Sequence, residues 1–286
     1  MTRNTTVARK AEELLSIPVV ATSPVAGGDI STATRLKLSD GRSVLMKTHT
    51  NPPADFFAAE ARGLRWLAEV GDDGVRVPEV LGVDAECLVI PWIEPGKQTP
   101  DAALDFGRRL AATHASAPDG FGGASDGFIG RLPMRNTPKA SWPEFYATQR
   151  VLPYLKLARD RDAISAEDTS VVEGIIGKLT TLLPEEPAAR LHGDLWNGNV
   201  LWGSDGACHV IDPAAYGGHR EVDIAMLALF GMPHLQRALE AYDEAAPLAD
   251  GWEDRLGIHQ LFPLLVHACM FGGGYGARAA AVAGRY

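Results

Sequence analysis

The first third of the chain alternates apolar and polar positions with the period of a half-buried β-strand, and helical stretches interrupt it. Strict alternation is typical of a strand with one face on a core, whereas apolar residues three or four positions apart indicate an amphipathic helix. On this basis we predict strands at 19–25, 31–38, 43–47, 80–82 and 88–90, and helices at 7–16 and 55–70. The dipeptide Asp40-Gly41 is a strong signal for a hairpin turn between two of these strands.

From residue 94 onward the pattern is mainly helical. We predict helices at 102–114, 142–158, 168–183 and from 221 onward, a loop at 116–138, and two short strands at 199–202 and 209–211. The whole pattern predicts an α+β fold with two lobes. The lobe at 1–93 is small and β-rich with one inserted helix, and the lobe at 94–286 is larger and mainly helical.

Composition narrows the class of protein. The chain has 286 residues with 27 basic and 36 acidic side chains, a net charge of −9, which disfavours a dedicated nucleic-acid binder or a binder of anionic membranes. No apolar run reaches the length of a membrane span, and the N-terminal stretch lacks the apolar core of a signal peptide, so we expect a cytoplasmic protein. The three cysteines are too scattered for a disulfide framework or a metal site.

The segment from His192 to Asn199, with Asp212 further on, carries the polar residues that phosphoryl transfer requires. Asn199 lies five positions after Asp194, and Asp212 lies eighteen positions after it, at the end of the second short strand. Transfer from a nucleotide needs a carboxylate that accepts the hydroxyl proton and a divalent cation held against the phosphates. We interpret Asp194 as the catalytic base, and Asn199 and Asp212 as Mg²⁺ ligands. Singly, each is more often a turn residue, but the combination favours catalysis.

Residues upstream would complete the nucleotide site. Gly27 and Gly28 lie between two predicted strands, where the backbone can approach phosphates closely, although the full phosphate-loop pattern is missing. Lys47 ends an otherwise apolar strand and could reach the α- and β-phosphates, with Glu60 on the following helix to orient it. Without the downstream motif, Lys47 would be an ordinary edge-strand lysine and Glu60 a solvated helix residue.

The junction of the two lobes offers backbone groups to an adenine ring. Pro91 lacks an N–H but keeps its carbonyl, which could accept from the adenine amine while the Ile93 N–H donates. We therefore predict that the hinge Pro91-Trp92-Ile93 contacts the nucleotide.

The sequence resembles that of a family, the fructosamine or ketosamine-3-kinases. This family lies within the protein-kinase-like superfamily, near the aminoglycoside and choline kinases. The resemblance spans about residues 5–275 and is carried by the runs LHGDLWNGNVL, VIDPAAYGGHREVDIAMLALFG, AEARGL, SWPEFYATQRVLPYL and HQLFPLLVHACMFGGGY. It implies a two-lobed protein-kinase-like fold and an ATP- and Mg²⁺-dependent kinase. The substrate would be a ketosamine, on a free amine or a protein lysine, phosphorylated at the sugar 3-hydroxyl in a deglycation role.

The resemblance also implies roles for individual residues. Asp194 would take the proton of the sugar 3-hydroxyl, and Asp223 would brace the catalytic loop. Trp196, Tyr216 and His219 would border the sugar pocket, with core packing an equally good interpretation of Trp196. Many family members carry a cysteine in the glycine-rich turn that links a dimer through a disulfide, whereas residues 27–30 here contain none. We therefore expect a monomer.

Two other functions stay open from the sequence. One is another small-molecule kinase of the aminoglycoside or choline type. A choline pocket needs an aromatic cage around a quaternary ammonium, and an aminoglycoside pocket needs many carboxylates. The other is a pseudokinase that binds nucleotide without turnover, which the intact Asp194, Asn199, Asp212 and Lys47 make the weaker hypothesis.

Overall fold

The fold is that of a computed structural model, which describes residues 5–26 and 30–286. The predicted phosphate contacts of Gly27 and Gly28 lie outside the described residues. The N-terminal elements are α1 (Thr5–Leu15), β1 (Val19–Val25), β2 (Thr32–Leu38), β3 (Ser43–Thr48), α2 (Phe56–Ala68), β4 (Gly82–Val83) and β5 (Cys87–Pro91). The strands form one antiparallel sheet in the order β1-β2-β3-β5-β4.

The two faces of this sheet are covered by different helices. The side chains of Leu36, Val44 and Met46 pack with α1 on one face, as strand alternation requires. Leu88 and Ile90 point to the opposite face, where they pack with Phe57 and other residues of α2. Since both faces are covered, β5 is buried from Cys87 to Ile90. Strand β3 is thereby held rigidly, with Lys47 near its end.

The remainder of the chain is mainly helical. Its elements are α3 (Pro100–Ala115), β6 (Gly127–Ile129), β7 (Leu132–Met134), α4 (Trp142–Phe145), a π-helical turn (Tyr146–Val151), α5 (Leu152–Asp160), α6 (Ala166–Ile176), α7 (Leu179–Leu182), β8 (Ala189–Leu191), β9 (Val200–Trp202), β10 (Cys208–Val210), β11 (Tyr216–Gly218), α8 (Glu221–Phe230), α9 (Leu235–Ala245), α10 (Trp252–Phe271) and α11 (Tyr275–Ala283). Among the described residues, no helix is long and apolar enough to cross a membrane.

In the part of the chain that the structure describes, three small two-stranded sheets accompany these helices. Strand β9 pairs with β10 and β8 pairs with β11, so that the loops after β8 and β10 emerge side by side. The third pair, β6 with β7, lies within the segment predicted as a loop. We also predicted one helix over 168–183, whereas the structure divides it into α6 and α7. The division of the chain between residues 93 and 94 stays a prediction.

Candidate active site

The loop after β8 presents Asp194 to the space between the sheet and the helices. Gly193 has a φ of +80°, and a Cβ there would lie 2.1 Å from the Ala214 carbonyl oxygen, so only glycine fits. The Asn199 amide donates to the Asp194 backbone carbonyl at 2.8 Å and to its carboxylate at 3.1 Å. Asp194 is thereby oriented by the residue that we predicted as a metal ligand.

Asp223, near the start of α8, accepts hydrogen bonds from the backbone of this loop. Its carboxylate accepts from the backbone N–H of His192 at 2.8 Å and from that of Gly193 at 2.9 Å. Burial opposes its charge, but hydrogen bonds, first that from His114, keep the pKa of Asp223 below its ordinary value. A fully buried carboxylate thus fixes the backbone on which Asp194 is carried.

Lys47 connects the sheet to the helical part of the molecule. Its Nζ lies 2.7 and 2.8 Å from the two carboxylate oxygens of Glu60 and 2.8 Å from Oδ1 of Asp212. Burial opposes the charge of Lys47, but Asp212 and Glu60 together raise its pKa above the usual value. Asp212 adopts a left-handed backbone with a φ of 57°, an unusual conformation that is typical of functional sites.

The negative charge of this cluster exceeds its positive charge. One lysine faces three carboxylates, those of Glu60, Asp194 and Asp212. Burial, with a further contribution from the Asp212 charge, raises the pKa of Asp194 to about 7, and burial raises the pKa of Glu60 to about 7 as well. The described partner of Asp212 Oδ1 is the Lys47 ammonium, which Asp212 shares with Glu60. A divalent cation held by Asn199 and Asp212 would balance the charge, so the residues present fit Mg²⁺.

These side chains line one cleft of about 1780 Å³, which is large enough for a nucleotide and a second substrate. Of the described residues that we predicted for the site, all but one line the cleft. Those that do are Lys47, Glu60, Pro91, Trp92, Ile93, Asp194, Trp196, Asn199, Asp212 and Tyr216. At the hinge the Trp92 N–H is used by the sheet, because it donates to the Ser43 carbonyl. Tyr216 borders the cleft with an almost completely buried ring, which stacks on Phe145.

The exception is His219, which we placed at the mouth of the pocket and which the structure does not bring to the cleft. Strand β11 ends at Gly218, and the next side chain turns into the core, where His219 is 0% exposed and stacks on His259 with the ring centroids 5.0 Å apart. These two histidines and Glu221 have donor atoms close enough to hold a metal. Each imidazole, however, accepts an N–H at its other nitrogen, from Glu221 and from Trp142, whereas histidines that bind metals donate there. We therefore assign this cluster a structural role.

From the sequence we expect the helices within 221–286 to shape the substrate pocket, but the sequence did not identify the side chains on this far wall of the cleft. Helices α8, α10 and α11 contribute the lining side chains Phe230, His267, Phe271 and Tyr275. These residues stand far from the catalytic motif in sequence, and α10 is apolar on most sides. The available signal was the spacing of Pro263, His267 and Phe271, which places them on one face of the helix.

An antiparallel sheet, a hinge and a helical part that carries a candidate base and candidate metal ligands define a phosphotransferase of the protein-kinase-like fold. The chain belongs to the fructosamine kinase family, whose family model matches residues 3–285. The membership confirms the predicted family and enzyme class.

Individual relatives agree. The "Probable ketoamine kinase" of Thermus thermophilus is 39% identical over 257 residues, 88% of this chain and 88% of that protein. A crystal structure from Thermobifida fusca, assigned as a fructosamine-3-kinase, is 46% identical and has a TM-score of 0.92 over 98% of both chains. The complex of streptomycin and ATP with APH(2″)-IIa has a TM-score of 0.64 over 100% of this chain and 97% of that one. At 11% identity this likeness shows the fold alone, and it confirms the predicted two-lobed kinase-like fold.

Proposed function

We propose that the protein transfers the γ-phosphoryl group of ATP to the sugar 3-hydroxyl of a ketosamine, with Mg²⁺, in the cytoplasm. The convergence of Lys47, Glu60, Asp194, Asn199 and Asp212 in one cleft carries this proposal. The family and the name of the Thermus relative support a ketosamine as the acceptor. Phosphorylation at this position destabilises the adduct, so the cellular role would be deglycation.

The reaction assigns a task to each side chain. Asp194 accepts the proton of the 3-hydroxyl while its oxygen forms a bond to the γ-phosphorus, and the bond from that phosphorus to the β,γ-bridging oxygen breaks to release ADP. Lys47, oriented by Glu60, binds the nucleotide phosphates. Asn199 and Asp212 would hold Mg²⁺, which when bound neutralises charge on the phosphates. The hinge backbone at 91–93 would bind the adenine.

The substitution Asp194→Asn tests this assignment because it removes the base without changing the size of the side chain. We expect turnover to fall by about 10²–10⁴-fold with nucleotide binding retained, since general-base catalysis contributes on that order. The measurement is ADP release with Mg²⁺ and ATP against ribulose-lysine, fructose-lysine, kanamycin and choline.

Asp205→Asn is the matched control, because Asp205 lies in the exposed turn of the β9–β10 hairpin and caps the Ala207 N–H. It should leave turnover unchanged. A loss of less than about tenfold in Asp194→Asn would exclude Asp194 as the base. Turnover of kanamycin or choline alone would retain the base and reject the ketosamine as the acceptor.

A further inference from the structure

Arg190 is a buried cation on β8, the strand that leads to Asp194. Its side chain belongs to a residue that is only 9% exposed, and its Nε has no hydrogen-bond partner among the described residues. A buried guanidinium loses its hydration, which is costly unless other groups compensate the charge. The groups that compensate Arg190 come from α2, an element on the sheet side of the cleft.

The guanidinium of Arg190 contacts the C-terminal end of α2 in three ways. Nη1 donates to the backbone carbonyl of Trp66, and it donates at 3.0 Å to the carboxylate of Glu69. Its carbon Cζ lies 4.5 Å from the centre of the Trp66 indole, which is a cation–π contact. The end of a helix carries partial negative charge on its carbonyls, so a cation is favourable there. Arg190 thus joins the end of α2 to the strand that leads to Asp194.

Helix α2 also contacts the helical part of the molecule midway between Trp66 and Glu60. A Cβ at Gly63 would lie 3.1 Å from Pro213 Cγ, so the backbone of the helix lies directly against the loop after β10. The N-terminal half of α2 packs on the sheet instead, through Phe57. The helix is therefore held at one end by the sheet and at the other by the part of the chain that carries the candidate base.

Glu60 lies between these two ends and depends on both. It precedes Trp66 by six positions, a rise of about 9 Å along the helix. Its carboxylate oxygens lie 2.7 and 2.8 Å from Lys47 Nζ, and a hydrogen bond is largely lost when such a distance grows by about 1 Å. If the C-terminal end of α2 is released, any rotation of the helix about its contact with the sheet displaces Glu60 from Lys47.

We infer that Arg190 is a positioning residue, which holds α2 so that Glu60 orients Lys47 toward the nucleotide phosphates. This inference rests on the phosphate-binding role of Lys47 in the function proposed above. Arg190 does not line the cleft, so it acts through the helix. A positioning role predicts a loss that is specific to ligands with phosphates, because adenosine would contact the hinge and not Lys47. A purely structural role predicts equal losses for both kinds of ligand.

Calorimetric titration in the presence of Mg²⁺ measures the binding of ADP and of adenosine without turnover. The variant Arg190→Met retains an unbranched side chain but removes the charge and the donors. We expect it to weaken ADP binding by about tenfold, on the order of one charge-assisted contact, and to leave adenosine binding unchanged. In a Lys47→Met background the same substitution should change ADP binding by less than about twofold, because the effect passes through Lys47.

Arg220→Met is the matched control. Arg220 is similarly buried, and it donates to the Glu186 carboxylate and to backbone carbonyls outside α2. Its substitution should lower stability but leave the binding of both ligands as in the wild type. If Arg190→Met does not fold, Arg190→Lys takes its place. Lysine keeps the charge but not the planar contact with Trp66, so we expect a loss of about threefold in ADP affinity alone.

Three results would each overturn the inference: equal weakening of ADP and adenosine binding, unchanged ADP binding in the Arg190 variants, or an undiminished effect in the Lys47→Met background. A wild type that binds ADP no better than adenosine would reject the phosphate-binding role of Lys47 and this inference with it. If ADP binding depends on Arg190 through Lys47 but no ketosamine is phosphorylated, the proposed function alone is rejected.

Discussion

At the scale of single residues, the buried charges of this protein differ in how they are compensated. Lys47 is shared among carboxylates that outnumber it, so the catalytic cleft retains negative charge until a cation binds. Glu221 is different: it is fully buried, but the Arg255 guanidinium donates to both of its carboxylate oxygens. A buried negative charge without a matching positive charge is tolerated in the cleft because a bound cation can neutralise it, which indicates a functional role. The charge of Glu221 is already neutralised by Arg255, which indicates a structural role.

His219 leads to a prediction about stability and pH. Burial, and then the neighbouring His259, lowers the pKa of His219 to about 3 from an ordinary 6.5. The unfolded chain binds a proton at this residue below pH 6.5 and the folded chain does not, so stability is lost as the pH falls from 6.5 toward 3. We expect this group to cost about 2 kcal/mol between pH 7.5 and pH 5.0.

Urea unfolding of the wild type and His219→Gln at both pH values measures this effect. The variant should lose about 2 kcal/mol less than the wild type on acidification. Thr181→Val, at an exposed position of α7, changes no titrating group and serves as the control, so it should keep the wild-type dependence. The same pH dependence in all three proteins would contradict the assignment.

At the scale of elements, the helix that we predicted over 142–158 contains a π-helical turn that its hydrophobic periodicity does not reveal. We predicted one helix over 142–158, although it contains Pro153. A proline removes one N–H and its ring clashes with the carbonyl four residues before it. The structure accommodates Pro153 by widening the preceding turn into a π-helix at Tyr146–Val151. This turn places Arg150 in the core, 0% exposed.

Arg150 anchors the segment that borders the cleft near Tyr216. Its guanidinium donates at 2.6 Å to the Arg135 carbonyl and at 2.6 Å to the Asn136 side chain, and it lies 3.9 Å from the centre of the Tyr216 ring. Asn136 follows β7 in the segment 118–139, whose residues form much of one cleft wall. No carboxylate among the described residues pairs with Arg150, so its charge is held by carbonyl oxygens and aromatic faces.

We therefore predict that Arg150→Met releases this loop. The substitution leaves three acceptors without this donor, the carbonyls of Arg135 and Gln149 and the side chain of Asn136, and we expect a net loss of about 2 kcal/mol of stability. Trypsin should cleave faster after Arg131 and Arg135, a rate that can be followed by mass spectrometry. Lys156→Met, on the exposed side of α5, is the matched control and should cleave like the wild type. Unchanged cleavage in Arg150→Met would show that the loop is held by other contacts.

The strands and the site residues differ in how well the sequence predicts them. Strands β1 to β3 were predicted within one residue at each end, because six or seven alternating positions and Asp40-Gly41 define them. Strands β6, β7, β8 and β11 were missed, because three residues are too few to establish a period. Strands β9 and β10 are equally short but were predicted, because the turn residues Ser204-Asp205-Gly206 lie between them. The polar site residues were predicted because the motif from Asp194 to Asp212 is compact in the chain. The spacing of His267 and Phe271 places them on one face of α10, but only the packing of α8, α10 and α11 shows that this face lines the cleft.

At the scale of the whole molecule, the sheet side and the helical part both contribute side chains to the candidate site. Lys47 and Glu60 come from the sheet side, while Asp194, Asn199 and Asp212 come from the loops of the helical part. The ion pair between Lys47 and Asp212 joins the two sides across the cleft. Because both halves of the site lie on one chain, a single copy holds all the residues that the proposed reaction uses.

The cysteines bear on whether a second copy is needed. All three are buried, and burial raises the pKa of Cys87 and Cys208 to about 12 and that of Cys269 to about 11. Only the thiolate reacts with oxidants and disulfides, so these groups are protected in the folded chain. Outside the cleft, the exposed large apolar side chains of the described residues are Val20, Leu152 and Val171, which lie on three different elements.

We predict a monomer that does not respond to thiol oxidants. Light scattering after gel filtration should give a mass near 30.6 kDa with and without reductant, and after treatment with diamide. A thiol-reactive dye should label no cysteine in the folded protein, because the thiolates are not formed, and all three in guanidinium. A doubled mass that reductant returns to 30.6 kDa would contradict this prediction and show that one of the three thiols becomes accessible in solution. A doubled mass that persists in reductant would instead show a non-covalent dimer, which the scattered exposed apolar side chains do not favour.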